Sequence, residues 1–231
     1  MTVLGVNNGE RLPAIDSQPA FENALRRALE MDEPLQGVLC NNLTVTGENL
    51  CRLEALQICL ERCRFENCDF SKTSFYDARL VDCDFSNCAF SDSYWKRCQW
   101  IGCRLNGANF AGASLHDVQA RDTRLRYANF ARALMEDVKL TDCDCADAGF
   151  AEVKLRRVIW QRVSLRQADF FRTPLKGMDL SACDIAGMQL SENAAELRGA
   201  RVSAEQAMDI ARRLGVIIVL KHKKARAYCT G

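Results

Sequence analysis

The sequence predicts an all-β solenoid, a right-handed four-sided β-helix with short helical caps at both ends. Three observations predict it: an unbroken five-residue period through the middle of the chain, a second period of twenty laid over the first, and helical patterning confined to the ends. From Phe65 through Phe70, Phe75, Leu80, Phe85 and Phe90 to Leu180, Ile185 and Leu190, every fifth residue is large and apolar, Ala120 and Cys145 excepted. Two residues before each of these centres stands a small side chain, such as Cys63, Cys68, Thr73, Ala78 and Cys83, with Met178 and Met188 as larger exceptions. A period of five fits neither the helical repeat nor the alternation of an ordinary strand. It suits short extended steps joined by tight corners, each step placing two side chains inside.

The twenty-residue period closes the coil. Phe70, Phe90, Phe110, Phe130, Phe150 and Phe170 recur at that interval, so four steps make one turn and the rings form an interior ladder. With coils stacked at the inter-strand spacing of about 4.8 Å, about eight coils from residue 35 to 190 give a rod about 40 Å long. Ala108-Asn109-Phe110, Ala128-Asn129-Phe130, Ala168-Asp169-Phe170 and Cys68-Asp69-Phe70 follow a small–Asp/Asn–large pattern. In this the chain resembles the pentapeptide-repeat family over roughly two thirds of its length, which implies the same four-sided β-helix.

Solenoids need end caps, because a bare terminal coil exposes strand edges and core. Asp16 or Ser17 is placed to cap a helix starting near Pro19, and Phe21, Ala24, Leu25, Ala28 and Leu29 share one face of it. Residues 38–60 keep the phase imperfectly, with Glu48 at a small site and Ala55 at a centre. At the other end Ser203 and Gln206 form a capping box and Gly215 stops the helix. The apolar run Val216 to Leu220 is expected to form a strand that something must cover. The expected organisation is a helical cap at 1–36, the β-helix at 37–195, a helix-and-strand module at 196–220 and a basic tail at 221–231. That module is similar to the one through which the quinolone-resistance and topoisomerase-protecting members of the family dimerise. The resemblance therefore implies a homodimer with Met208, Ile210, Ala211, Leu214, Val216, Ile217, Ile218 and Val219 at its interface.

Charge offers no global partner: 31 Lys plus Arg stand against 30 Asp plus Glu, a net charge of +1 in 231 residues. Thirteen cysteines fall largely on the small inward sites, which suits buried thiols in a reducing cytoplasm. Met1 to Arg11 lack a basic start followed by an apolar run, and no apolar stretch approaches the roughly 18 residues of a membrane span, so neither secretion nor a membrane is expected.

Catalysis has little to draw on. His116 and His222 are the two histidines, and His116 is expected on the solvent side. No phosphate-binding glycine loop is present, and Gly102, Gly107 and Gly112 read as corner residues. The pairs Cys63/Cys68, Cys83/Cys88 and Cys98/Cys103 fall on different faces, so no metal and no cofactor are expected; a Cys63–Cys83 bridge is also poorly disposed. The first functional expectation is a non-catalytic scaffold for a protein partner. Its candidate contacts are the outward Tyr76, Tyr94, Tyr127 and Phe171, the arginines Arg156, Arg157, Arg162, Arg166 and Arg172, and the acidic stretch Glu136, Asp137, Asp142, Asp144, Asp147 and Glu152. The alternative, implied by the resemblance, is a DNA mimic that binds a type II topoisomerase, DNA gyrase or topoisomerase IV, and modulates it or protects it from quinolones. The neutral repeat region argues against that alternative, and direct binding of nucleic acid is not expected.

Overall fold

The computed structural model describes residues 12–15 and 17–219. Between Leu35 and Gln189 the chain winds as a four-sided right-handed β-solenoid in which each residue stands over the one twenty positions earlier. On face one the parallel register runs Leu35, Ala55, Phe75, Trp95, Leu115, Met135, Leu155, which is six turns of paired strand. Face two follows with Cys40, Leu60, Leu80, Trp100, Ala120, Leu140 and Trp160. Faces three and four are centred on Phe65 and Phe70 in the same coil; face three opens with the parallel pair Thr44–Thr46 on Arg64–Glu66, and single parallel bridges then carry both faces on to Gln189.

The interior is filled by side chains. The six phenylalanines of face four stack with centroids 4.9–5.1 Å apart and planes within 18° of parallel. Each ring contributes about 1.5–3 kcal/mol of burial and about 0.5–1.5 kcal/mol of stacking. The small sites do more than save space. Their thiols and hydroxyls donate to a carbonyl of the preceding coil, as in Cys83 Sγ to Leu60 O at 3.3 Å and Thr73 Oγ1 to Leu50 O at 3.1 Å. The twelve described cysteines are free thiols, and burial pushes Cys88, Cys98 and Cys103 up to about 12.

The corners follow each centre by two residues and adopt left-handed backbone, at Asp77, Arg97, Arg157 and Arg162 among others, with φ of 51–54°. Such a conformation costs an L-residue about 1–2 kcal/mol. Gly102 shows why some corners are glycine: a Cβ there would collide with the Asp82 carboxylate one coil earlier.

The five-residue period is continuous in sequence, yet the ladder opens once. No backbone hydrogen bond joins strands Lys154–Arg156 and Ile159–Gln161 to residues 174–181, although faces three and four stay bonded across the same two coils. Two residues account for the seam. Pro174 has no N–H to give to Val153, and Met178 is a longer inward side chain than Val158, Val138 and Val118, which precede it in its column. Thr173 compensates in part, donating through Oγ1 to Phe150 O and accepting from Val153 N.

At the N-terminal end, helix α1 (Gln18–Glu30) buries Phe21, Leu25 and Ala28 over the first coil, while Leu29 is exposed. Ser17 holds the cap position without a side-chain capping bond, and Asp16 lies outside the described residues. Ala14–Ile15 form a short strand on Leu39–Cys40, an element the sequence did not announce. Leu35–Gln36 already pair with Ala55–Leu56, so the coil begins before residue 37.

At the C-terminal end the coil continues past 195. Leu197 and Val202 pack against the core five residues apart, but in a phase shifted by two, with Leu175 N donating to Glu196 O and Leu180 N to Arg201 O. Helix α2 (Ala204–Arg213) has the expected capping box: Gln206 N donates to Ser203 Oγ and Ser203 N to Gln206 Oε1. The helix ends at Gly215, φ 81°. Residues 216–219 form no strand, contrary to expectation, because no segment among the described residues offers them a ladder. Leu220 and the basic tail lie outside the described residues.

Candidate functional site

Because the interior is filled, what the coil can offer a partner is its outside, and the columns on that surface are fixed by the twenty-residue register. The expected arginine face is not one face. Arg156 lies on face one, Arg157 at the corner of faces one and two, Arg162 at the next corner, Arg166 on face three and Arg172 at the corner of faces four and one. The acidic residues wind round the rod in the same way, and the two sets meet each other. Arg157 donates to both oxygens of Asp137, the shorter at 2.6 Å, and to Glu136 at 2.7 Å. Arg162 grips Asp142 in the same bidentate manner at 2.6 Å. Arg172 reaches Glu152 at 3.4 Å, Arg166 reaches Asp184 at 3.1 Å, and Asp147 takes Arg126 at 3.3 Å.

These pairs stand one coil apart, as does Arg97 on Asp77. For Asp77–Arg97, Asp137–Arg157 and Asp142–Arg162 the sequence carries that signal directly, as Asp and Arg separated by twenty. Arg157 and Arg162 hold the carboxyls of Asp137 and Asp142 below the usual carboxylate range. The pairs are exposed, so each adds little stability. Their effect on recognition is larger, since they neutralise the one stretch that reads as acidic. Asp144 instead accepts from the Ala146 N–H of its own turn.

Among the aromatics, Tyr127 and Phe171 are exposed, each with the neighbouring arginine, Arg126 or Arg172, over its ring. Tyr76 and Tyr94 are half-buried against one another at 5.4 Å. His116 departs from the expectation of a solvent-exposed side chain. It packs on Tyr94 at 5.4 Å and its Nδ1 lies 3.4 Å from Glu136, because its column neighbours on face one are large.

The residues assigned to a dimer interface do share one end of the rod. Met208, Ile210, Ala211 and Ile218 are half-buried, and Leu214, Val216, Ile217 and Val219 are exposed by 50, 53, 89 and 79%. Between α2 and the last coil runs a groove of about 610 Å³ lined by Ile185, Gly187, Gln206 and Ile210. Among the described residues, no group of three or more His, Cys, Asp or Glu is placed to hold a metal ion, and no helix is long and apolar enough to cross a membrane.

Two family models match the chain: one described as a pentapeptide repeat region over residues 93–170, the other as pentapeptide repeats, eight copies, over residues 58–87. No curated protein matches by sequence. Among solved structures, trypsin-treated QnrB1, a plasmid-mediated fluoroquinolone resistance protein, is similar with a TM-score of 0.52 at 20% identity. The match covers 78% of this chain and 99% of that one. HetL, a pentapeptide repeat protein involved in heterocyst differentiation regulation from the cyanobacterium Nostoc sp. strain PCC 7120, matches at 16% identity over 77% of this chain and 94% of its own, with a TM-score of 0.29. Period, phenylalanine ladder and family models agree: this chain is a pentapeptide-repeat protein, and in the path of its coil it resembles the quinolone-resistance members.

Proposed function

We propose that this protein is a non-catalytic scaffold whose rigid outer faces hold a protein partner. The observation that carries this reading is the filled interior, which leaves a surface of evenly spaced columns as the functional part. Catalytic groups are poorly served there: the inward thiols Cys88, Cys98 and Cys103 are kept protonated by burial, and Asp137 and Asp142 are spent on arginines one coil away. A photo-crosslinking amino acid placed at Tyr76, Tyr127, Ile159 or Phe171 in the source cell tests it. One partner recovered repeatedly from neighbouring positions is the expected result; no protein recovered from any position defeats it. The thiol-rich core favours a reducing compartment, and the cytoplasm is the proposed location.

The C-terminal end supports an end-to-end homodimer, because Val216, Ile217 and Val219 expose β-branched side chains that a second copy would bury. Light scattering at micromolar concentration is expected to give a dimer, and I217D/V219D a monomer; a wild-type monomer there removes the proposal.

Topoisomerase mimicry is the second reading. It is favoured by a coil path shared with a fluoroquinolone resistance protein and opposed by the compensated acidic stretch. A gyrase supercoiling assay with fluoroquinolone separates the two. Protection by the wild-type chain would promote mimicry to first place.

A further inference from the structure

Face three ends on an open strand edge. In its earlier coils the N–H groups of a centre and of the following corner donate to the next coil, as Leu165 does to Asp184 O and Gln167 to Ala186 O. Ile185 and Gly187 hold the same two positions in the last coil, and their N–H groups have no acceptor among the described residues. By the register of the coil they point off the C-terminal end, toward the groove of about 610 Å³ that runs along α2 from Ser203 to Arg213. Helix α2 leaves this edge open: Gln206 Nε2 takes the carbonyls of Leu180 and Cys183, and nothing from the helix accepts from Ile185 N or Gly187 N. A bare edge pairs with any extended chain that reaches it, so folded proteins cover it or charge it.

The groove is also polarised. Glu205, in the first turn of α2, lines it without an ion-pair partner among the described residues, and Asp184 lines it facing Arg166 at 3.1 Å. Asp209 is already taken by Arg212 at 2.9 Å, and Arg212 and Arg213 stand in the last turn. A cationic segment is therefore drawn toward the start of the helix and away from its end.

The chain itself supplies such a segment. Val219 follows the end of α2, and the residues after it include Lys221, Lys223, Lys224 and Arg226 with no Asp or Glu. The 10 residues of α2 measure about 15 Å, whereas residues 220–226 span up to about 23 Å when extended. A chain that turns back after Val219 reaches Glu205 with length to spare.

We propose that the basic segment 221–226 folds back along this groove, giving backbone carbonyls to the N–H groups of Ile185 and Gly187 and its cations to Glu205 and Asp184. The tail then covers the terminal edge of its own coil, and its lysines keep a further strand from adding. The inference goes beyond the scaffold and dimer readings and rests on neither, since Val216, Ile217 and Val219 stay outside the groove.

Amide exchange followed by NMR tests it. Ile185 and Gly187 are expected to exchange about tenfold or more slowly in the full chain than in a chain ending at Val219. Leu105 and Gly107, bonded to Arg124 O and Arg126 O inside the coil, are the control and are expected to be unchanged. K221E/K223E/K224E/R226E keeps the length of the tail and is expected to lose the same protection. Carbodiimide coupling in an equal mixture of 15N-labelled and unlabelled protein is expected to join Lys223 or Lys224 to Glu205 within one isotope class. Equal exchange with and without the tail, or protection that survives the charge reversal, would overturn the proposal. Links formed chiefly between isotope classes would overturn it as well, by seating the tail on a second copy.

Discussion

The two ends of the rod solve the same problem differently. At the N-terminal end α1 lies on the first coil with Phe21 fully buried, the strand Ala14–Ile15 adds a rung to face two, and the Gln18 carboxamide serves face three, accepting from Thr44 N and donating to Thr44 O. At the C-terminal end α2 buries no residue fully. It is moored by Gln206, whose Nε2 donates to Leu180 O at 3.0 Å and to Cys183 O at 2.7 Å. One end is sealed by apolar packing; the other is tethered by hydrogen bonds, with Ile210 half-buried on the core and Leu214, Val216, Ile217 and Val219 left outside. An end closed by burial is finished within the chain; an end held by polar bonds keeps its apolar surface for a second body.

The comparison can be broken by mutation. F21A removes the buried keystone of the sealed end and is expected to cost about 3–5 kcal/mol in chemical denaturation, with the fastest exchange spreading through residues 35–60. Q206A removes both mooring bonds and half of the capping box; about 1–3 kcal/mol is expected, with α2 losing protection and the first coil unaffected. If both variants loosened both ends equally, the ends would not be independent.

Glu196 sharpens the contrast through pH. Burial would raise its carboxyl, but bonds from Ser191 Oγ, Ser191 N and Arg172 N outweigh that and hold it below the ordinary glutamate value of 4.5. A depressed folded-state value means that the stabilisation is whole above the ordinary value and is lost as pH falls through the folded one. Acid is therefore expected to loosen residues 191–202 before residues 35–41, and E196Q to abolish the difference. The smallest effect is expected of Q18A, about 0.5–1.5 kcal/mol, confined to exchange at Thr44–Thr46.

Much of this was legible in the sequence. The size of a side chain at each centre and small site is dictated by the narrow interior, so the coil, its four faces and the phenylalanine column could be read from spacing alone. Capping chemistry gave α2 and Gly215 for the same reason, being local. The strand at Ala14–Ile15 could not be read, because a two-residue strand has no period. Leu197 and Val202 continue the period in a shifted phase, which hides them from a count by fives. Met178 stood out as an oversized inward residue, but the seam could not be read, because the absent Pro174 N–H matters only once the register sets that residue over Val153. For the outer surface the difficulty was different. Arg157 and Asp137 were visible as charges, and each looked available until the register set one over the other.

The stacking of Phe90, Phe110, Phe130 and Phe150 at near-constant spacing has one more consequence. Since every turn in that stretch presents the same backbone path to its neighbours, excising a block such as 106–125 would join two surfaces that already match. Both terminal assemblies would ride closer together, by about 4.8 Å for each block removed. Length in this molecule is thus a quantity that can be changed in whole steps without redesigning anything else, which makes it a ruler as much as a protein.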